Sequence, residues 1–248
     1  MLKIIISPAK KMNVRNDILS YKNIPFFINE AQTLFSYMKN MSLEELKNLW
    51  KCSDKLVQEN EQQLQTGNLK QNLSPAVLSY EGIQYKYMAP AVFEEQAFIW
   101  LEKHLRILSG FYGVLCPFDG VIPYRLEMQA RFHNEKINNL YDFWGQKLAD
   151  YILKDCDCLI NLASKEYSRA VSTHLSPSTR LIGCVFAQQA GDKLAEKGTL
   201  CKMARGEMVR FLAEQQVNRP EDLKSFDRLG FRFSSVHSQE DKYVFIKE

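Results

Sequence analysis

The chain has 248 residues, of which 46% are hydrophobic and 25% charged, and this composition is typical of a globular protein with a sizeable buried core. No apolar run approaches the roughly 20 residues of a membrane-spanning helix, and the basic residues of the first segment follow its apolar run, which is the wrong order for a secretory signal, so we expect a cytoplasmic protein without membrane contact. The formal net charge of +3 is smaller than that of many dedicated nucleic-acid domains, and by itself it neither indicates nor excludes an anionic partner.

The N-terminal part of the chain predicts one strand followed by three helices. Residues 2–6 form a nearly continuous apolar run, which favours a buried strand. A helix with a mixed face is predicted over residues 26–38. Ser42-Leu-Glu-Glu45 is a capping box, in which a serine hydroxyl and a glutamate carboxylate bind the free amides of a helix start. A second cap at residues 52–54 begins a shorter helix that reaches Leu64, so two short helices joined by a tight break are expected.

The middle of the chain predicts a long helix, two strands and a further helix. Apolar residues at helical spacing cover residues 93–108, and Gly110 is expected to end this helix. Residues 111–115 favour a strand. Apolar and polar residues then alternate without a break over residues 124–132, and this period of two is typical of a half-buried strand. An amphipathic helix is predicted over residues 141–153.

Strands and helices mix irregularly in the C-terminal part. An apolar run interrupted by Asn161 predicts a buried strand over residues 159–163, which leads into a helix capped by Ser164. The later elements are strands over residues 181–186, 231–233 and 243–246, a helix over residues 204–216 and a helix that starts at Pro220. Because no regular βαβ series is visible, we expect an α+β fold, with one domain over residues 1–248 and a mixed β-sheet core enclosed by helices.

Two of the predicted strands end in the same way, with a serine and a lysine. Ser7 and Lys10 follow the first strand, and Ser164 and Lys165 follow the strand over residues 159–163. Ligands tend to sit beyond the carboxyl ends of strands in sheets with a parallel portion, so these endings and the nearby Asn161 favour a binding site. In the alternative interpretation the serines cap helices and the lysines reach water.

A second cluster of cations lies at the predicted start of the helix over residues 204–216. It contains Lys202 and Arg205, with Arg210 about one helical turn further on. Small residues beside these cations would suit a phosphate group, bound by amides and guanidinium groups together. The alternative is that all three are surface charges on an ordinary helix.

The cysteines and histidines form no metal or catalytic pattern. The six cysteines, expected to be free structural thiols, are Cys52, Cys116, Cys156, Cys158, Cys184 and Cys201. Cys156 and Cys158 are the one close pair; no second pair stands at ligand spacing, and a redox or metal role for them is the alternative. The four histidines are scattered, and the common nucleotide-loop, zinc-protease and hydrolase signatures are absent. We therefore predict no metal site and no cofactor, and we name Glu127 and Glu166 as candidate catalytic carboxylates.

Six segments occur in a fixed order along the chain: ISPAK, LRILSGFYGVL, PYRLEM, LYDFWG, INLASKEY and ARGEMVRF. In these segments the chain resembles the YaaA family of bacterial peroxide-stress proteins, from about residue 4 to the last strand. The resemblance implies a single domain with a β core enclosed by helices. It also implies a cytosolic role in resistance to hydrogen peroxide, connected with limiting free intracellular iron, and non-specific binding of double-stranded DNA. A helix–hairpin–helix element associated with the family would lie on residues 43–64, and we expect a monomer.

The family pattern, carried over residue by residue, implies an anion-facing site. Its residues are Lys10, Arg125, Glu127, Asn161, Ser164, Glu166, Tyr167, Lys202 and Arg205. The cations would bind phosphate and the two glutamates would orient them, so the Arg125–Glu127 face of the predicted strand is expected to meet a ligand instead of water. The chain departs from the family pattern at Cys116 and Met203, where relatives carry cations, and in the turn over residues 51–54, which has no glycine.

Two alternatives to a DNA-binding protein stay open. One is an enzyme that acts on a nucleotide or a nucleic-acid base, a nucleotide-like ligand held at the cluster of Arg125, Glu127, Asn161 and Glu166. Paired acids and cations in a cleft are typical of acid–base sites. The other is direct sequestration of iron, against which the scattered histidines argue.

Overall fold

A computed structural model describes residues 1–15, 17–133, 137–191 and 193–247. The strands are β1 (Leu2–Ile6), β2 (Lys11–Met12), β3 (Ser74–Pro75), β4 (Tyr80–Glu81), β5 (Leu105–Ser109), β6 (Gly113–Leu115), β7 (Gly120–Val121), β8 (Cys158–Leu162), β9 (Arg180–Ala190), β10 (Lys193–Ala195), β11 (Phe231–Phe233) and β12 (Lys242–Lys247). The helices are α1 (Ile28–Lys39), α2 (Leu43–Trp50), α3 (Asp54–Thr66), α4 (Ala76–Ser79), α5 (Ile83–Met88), α6 (Glu95–His104), α7 (Leu140–Trp144), α8 (Lys147–Leu153), α9 (Lys165–Ser172) and α10 (Gly198–Glu214). Short 3-10 helices cover Pro90–Val92, Pro220–Ser225 and Arg228–Gly230.

The main sheet confirms the predicted α+β fold with a mixed sheet. In the described residues it has eight strands, hydrogen-bonded in the order β11–β12–β9–β8–β1–β5–β6, with β10 added to β9. The neighbours from β12 to β5 run parallel, whereas β6, β10 and β11 pair antiparallel. All five residues of β1 are buried, which explains its nearly continuous apolar run, because a central parallel strand is covered on both faces.

Helices surround this sheet as predicted. Among them, α10 packs most extensively on α5, and α2 packs on α3. Two further pairs of short strands, β2 with β4 and β3 with β7, lie outside the main sheet. In the part of the chain that the structure describes, no helix has the length and apolar composition needed to cross a membrane.

The two short helices predicted after Ser42 are present. Ser42 accepts the N–H of Glu45 and the Glu45 carboxylate accepts the N–H of Ser42, so the capping box that starts α2 is confirmed. The second helix is longer than predicted, because α3 continues to Thr66. Lys51 ends α2 in the left-handed region with φ 45°, a conformation that usually falls to glycine.

The long helix predicted over residues 93–108 is wrong in its last four residues. The helix α6 ends at His104, and residues 105–109 form β5, which pairs in parallel with β1. An apolar run of this length fits either a buried helix or a buried strand by periodicity alone. Pairing with β1 stabilises residues 105–109 as a strand. As a result β6 is also shorter than the strand predicted over residues 111–115.

The strand predicted over residues 124–132 is not formed. Leu126, Met128 and Phe132 are buried and Gln129 is exposed, as the alternation indicates, but the segment has no neighbouring strand. Its backbone instead lies on Gly110, where an added Cβ would come within 2.6 Å of the Leu126 carbonyl oxygen. One side of this segment is therefore buried because it packs on Gly110, and not because it pairs in a sheet.

Three predicted helices have different boundaries or types. The helix predicted over residues 141–153 is broken at Gly145, whose φ of 48° cannot continue a helix, and it forms α7 and α8 instead. The helix predicted over residues 204–216 is α10, which ends at Glu214 and begins earlier, at Gly198, because Cys201, Ala204 and Met208 bury one continuous helical stripe. The helix predicted from Pro220 is a 3-10 helix.

Candidate functional site

The carboxyl ends of β1 and β8 lie side by side, so the two Ser–Lys endings meet in space. Ile6 is paired with Leu162, and Ser7 and Ser164 follow these strands. The Ser7 hydroxyl accepts the N–H of Ser164 at 2.9 Å and donates to Ser164 Oγ at 3.2 Å. Ser164 stands at the N-cap of α9 but makes no side-chain capping bond. The predicted N-cap position of Ser164 is confirmed, but its hydroxyl is bonded to Ser7 and does not cap the helix.

A cleft of about 510 Å³ opens beyond these strand ends, a size typical of small-ligand sites. Its walls come from the segment after β1, from α5, from residues 124–127, from the start of α9 and from the second and third turns of α10. The predicted site residues that line it are Lys10, Arg125, Glu127, Ser164, Glu166, Tyr167, Lys202 and Arg205. The fold thus brings together side chains from four distant parts of the sequence.

Glu127 is shared between two cations at the cleft. Its Oε1 lies 2.9 Å from Lys10 Nζ and 3.6 Å from Arg125 Nη2. The Lys10 side chain is 67% exposed, so its ion pair contributes at most about 1 kcal/mol and can open when a ligand arrives. Arg125 is only 11% exposed, and its guanidinium group is therefore fixed as part of the wall.

Two residues that line the cleft each have a guanidinium nitrogen that is buried without an acceptor. Among the described residues, Arg125 Nε and Arg205 Nε have no hydrogen-bond partner. An unsatisfied buried donor costs about 1–3 kcal/mol, more when it carries charge, so such groups are rare and call for an explanation. Both side chains line the cleft, so a bound anion with oxygen acceptors would meet their guanidinium groups.

Lys202 and Arg205 reach the cleft from within α10. They lie three residues apart and therefore share one face of the helix. Because α10 begins at Gly198, they stand in its second and third turns, and the prediction that amides of a helix start join them is wrong. Gly206 lets this part of α10 touch α5: a Cβ at position 206 would lie 2.2 Å from the carbonyl oxygen of Gln84.

Glu166 joins α9 to the segment that carries Arg125. Its Oε1 accepts the N–H of Gln129 at 3.2 Å, and its own carbonyl oxygen accepts the hydroxyl of Tyr141 at 3.0 Å. Burial raises the pKa of the Glu166 carboxyl, and the bond from Gln129 opposes this shift in part. The charge of Glu127 raises the same pKa further. Glu166 is thus held in place and is easier to protonate than an exposed glutamate.

Tyr124 contributes a ring to the cleft and directs its hydroxyl away from it. Ser109 Oγ accepts the N–H groups of Phe111 and Tyr112 at 3.1 and 2.8 Å, so its own proton is free to go to the Tyr124 oxygen, 2.6 Å away. The hydroxyls of Tyr124 and Tyr80 are also hydrogen-bonded to each other, at 2.7 Å. Burial raises the pKa of Tyr124 to about 12, so the phenol stays neutral.

The hydroxyl of Tyr85, another cleft residue, is also engaged, since it donates to the carbonyl oxygen of Ser7 at 2.9 Å. Burial raises the pKa of Tyr85 and of Tyr167 well above the usual value. The cleft therefore combines neutral aromatic walls with a few charged groups.

Asn161 and Arg210, which were also predicted as site residues, are not part of the cleft lining. Asn161 Oδ1 accepts the N–H of Ala163 at 2.9 Å and so shapes the end of β8. Arg210 Nε donates to Glu214 Oε1 at 2.7 Å, one turn along the same helix. An anion-binding role for either residue stays a prediction.

Sequence patterns gave no indication of Gln84, Tyr85 or Tyr124 as site residues. Gln84 and Tyr85 belong to a six-residue helix without long-range periodicity. They reach the cleft because α10 packs on α5 at Gly206, a tertiary contact with no local signal. Tyr124 stands beside Arg125 in the PYRLEM segment, and that neighbourhood is the one clue that could have identified it.

A second basic depression lies beside the turn between α2 and α3. It also measures about 510 Å³, and its lining includes Lys47, Lys51, Arg131 and His133, with Glu45 as the acidic residue. Arg131 and His133 belong to the same chain segment that carries Arg125 into the cleft. Residues 125–133 thus connect the two basic regions.

Metal-ligating side chains do not converge in the described residues. Within residues 1–15, 17–133, 137–191 and 193–247, no group of three or more His, Cys, Asp or Glu side chains could hold a metal ion. All six cysteines lie in these ranges and are free. Burial raises the pKa of Cys158 to about 11, so this thiol is not activated as a nucleophile.

Comparisons with known proteins agree with the six sequence segments. A family model described as peroxide stress protein YaaA matches residues 2–237. A UPF0246 protein from Agathobacter rectalis is 50% identical over 244 residues, with 98% of each chain covered. A UPF0246 protein from Desulfitobacterium hafniense is 47% identical over 246 residues, which cover 99% of this chain and 98% of its own. One from Pediococcus pentosaceus is 48% identical over 246 residues, with the same coverage. This chain therefore belongs to the peroxide stress protein YaaA family.

Proposed function

We propose that this protein serves the peroxide stress response in the cytoplasm by binding double-stranded DNA, with DNA phosphates held at the cleft. The observation that carries the proposal is the pair of buried nitrogens, Arg125 Nε and Arg205 Nε, that lack an acceptor in one cleft. Guanidinium groups bind phosphate oxygens through charge-assisted hydrogen bonds of fixed geometry. Phosphate is accordingly the anion that this pair of donors fits best.

A duplex is much wider than the cleft, so its backbone would cross the cleft mouth. Lys10 and Lys202 are both exposed and would meet the phosphates first. Arg125 and Arg205 lie deeper and would hold the group that enters. Such contacts carry no base information and give the non-specific binding expected for this family.

The depression beside the α2–α3 turn offers a second set of phosphate contacts. Arg131 is six residues after Arg125, a separation of at most about 20 Å in an extended chain. Duplex DNA carries one charge per roughly 1.7 Å of its axis, so a single short duplex can reach both basic regions. Binding at two places would raise the affinity above that of either one alone.

This mode of binding also offers a route to limiting damage linked to free iron. Cations condense on DNA phosphates and are released when a basic protein binds. Ferrous ions held at those phosphates would be displaced in the same way. The protein would thereby separate iron from DNA without binding iron itself.

The proposal is tested by fluorescence anisotropy with a short duplex at several salt concentrations. Wild-type affinity is expected to fall steeply with salt. The double variant Lys202→Ala/Arg205→Ala should bind about 10–100-fold more weakly at low salt, with a log–log slope reduced by about 2, because two phosphate contacts are lost. Arg131→Ala should reduce the slope by about 1.

Arg210→Ala is the comparison variant, because it removes one positive charge from the same helix at a position outside the cleft lining. It should weaken binding less than the double variant does. Absent or salt-independent binding by the wild type would overturn the proposal. So would a double variant that cannot be distinguished from Arg210→Ala.

Glu166 favours a second candidate function, an enzyme acting on a nucleotide or a nucleic-acid base. Its carboxyl lines the cleft, has a raised pKa and faces cations, an arrangement suited to proton transfer. Glu127→Gln and Glu166→Gln separate the two functions. If turnover is required, cells carrying either variant lose peroxide protection although the purified variant still binds DNA. Full protection by both variants would exclude this candidate.

A further inference from the structure

Unsatisfied donors are concentrated in the cleft. In the described part of the chain, four buried side-chain nitrogen atoms have no hydrogen-bond partner, and three of them belong to cleft residues: Gln84 Nε2, Arg125 Nε and Arg205 Nε. The fourth is Trp50 Nε1, on α2. Buried polar groups are normally bonded, so three in one cavity mark a place built for a ligand that brings several acceptors.

The third donor differs in kind from the other two. A phosphate can accept from all three donors, but it has no use for the acceptor oxygen that a carboxamide also carries. Gln84 is only 8% exposed, and its backbone is clamped to α10, since a Cβ at position 206 would lie 2.2 Å from its carbonyl oxygen. A carboxamide offers a donor and an acceptor side by side, in whichever orientation the amide takes. That pattern matches the edge of a nucleobase.

The walls next to Gln84 are aromatic and apolar. Tyr85, Tyr124 and Tyr167 line the cleft together with Ile83 and Leu126. The hydroxyls of Tyr85 and Tyr124 are engaged with protein groups, so these residues present ring surface to a ligand. Flat apolar surface beside a base-edge group is the way in which proteins hold a base that has left its stack.

We infer that the cleft binds one nucleotide unit, with its phosphate at Arg125 and Arg205 and its base edge at Gln84. A volume of about 510 Å³ suits a single nucleotide and excludes a base pair within a duplex. The inference rests on the proposed function in one respect: the nucleotide is either one that DNA turns out of its helix at the cleft mouth or a free nucleotide. Both sources share a phosphate, a sugar and a base.

Two binding assays on the full-length protein distinguish the sources. In the first, a duplex with one central 2-aminopurine is titrated with protein, and anisotropy of an end label is recorded beside 2-aminopurine emission. Extrusion of the base raises the emission several-fold as the duplex binds. In the second, calorimetry measures the affinity for the four deoxynucleoside monophosphates and for inorganic phosphate. A nucleotide site binds at least one monophosphate about ten-fold more tightly than phosphate.

The variant Gln84→Met keeps the length of the side chain and removes the carboxamide. It should reduce the emission change, or the affinity for the preferred monophosphate, at least ten-fold. Gln96→Met, at an exposed position of α6, is the matched control and should change neither. Thermal unfolding of both variants verifies that they are folded, and Gln84→Asn, which restores a shorter amide, should recover part of the signal.

Each outcome has a separate meaning. Duplex binding without an emission change, together with equal affinities for phosphate and nucleotides, overturns the inference and leaves the proposed DNA binding intact. Tight nucleotide binding without duplex binding supports the inference and overturns the proposed DNA function. A signal that Gln84→Met leaves unchanged removes the assigned base contact and overturns the inference as well.

Discussion

Replacing Gly206 with alanine should move α10 away from α5 and disturb the cleft. An added Cβ would lie 2.2 Å from the carbonyl oxygen of Gln84 and 2.9 Å from the backbone nitrogen of Met88. Both neighbours are backbone atoms of α5, so no side chain can rotate to make room. The helices must separate by about 1 Å to restore an ordinary contact, and such overpacking typically costs 1–3 kcal/mol.

Helix propensity works in the opposite direction. Alanine is better than glycine in a helix interior by about 1 kcal/mol, so overpacking at the upper end of that range leaves a net loss of about 2 kcal/mol. For a chain of 248 residues this corresponds to a lower melting temperature, by about 4–8 °C. Because Gln84 and Arg205 lie at this contact, ligand affinity at the cleft should fall as well.

Gly198→Ala is the matched control, because nothing lies within 4 Å of a Cβ at that position of the same helix. It should gain up to about 1 kcal/mol in the free energy of unfolding. Urea unfolding of both variants and duplex binding by anisotropy are the measurements. If Gly206→Ala is as stable as Gly198→Ala and binds DNA like wild type, the close approach of α10 and α5 does not shape the site.

Two further predictions concern backbone strain and a buried acid. Ala89 has φ 48°, a left-handed conformation that costs a residue with a Cβ about 1–2 kcal/mol, so Ala89→Gly should raise the free energy of unfolding in urea by about 0.5–1 kcal/mol. Ala91→Gly, two residues on in a 3-10 helix, should lower it, and equal effects would contradict the strain. Burial raises the pKa of Asp119 to about 7, whereas an unfolded aspartate titrates near 4. The contribution of the buried, protonated Asp119 to the free energy of unfolding is therefore complete below about pH 4 and is lost as the pH rises through 7. Asp119→Asn should therefore be more stable than wild type at pH 8 by up to about 4 kcal/mol and no different at pH 4, and a constant difference across this range would refute a buried neutral acid.

Local sequence patterns predict the buried residues more reliably than they predict which segments pair as strands. In the segment over residues 124–132 the alternation correctly indicates that Leu126 and Met128 are inside and Gln129 outside. It also predicts a strand, wrongly, because pairing requires a partner that local sequence does not show. The sequence over residues 105–108 predicts a helix, also wrongly, for the same reason. Its partner, β1, is about 100 residues away in the chain.

Part of the candidate site could be predicted from the sequence, because residues that follow neighbouring parallel strands lie close together in the fold. Serines and lysines after two buried runs are expected to meet where the strands are parallel neighbours, and β1 and β8 are such neighbours. Lys202 and Arg205 are indicated by their position as neighbouring cations beside small residues and by the family resemblance. No comparable rule leads to Gln84, which depends on the absence of a side chain at position 206, in a helix more than 100 residues later.

The local arrangement of donors says more about the ligand than the net charge does. A total of +3 is uninformative because cations and carboxylates alternate on the cleft wall, and Glu127 alone contacts both Lys10 and Arg125. This sharing keeps the cations in position while the cleft is empty. An incoming phosphate competes with Glu127 for Lys10 and for Arg125 Nη2, whereas Arg125 Nε and Arg205 Nε have no acceptor to give up among the described residues. Binding of an anion therefore adds hydrogen bonds at little loss, and the site selects for ligands rich in oxygen acceptors.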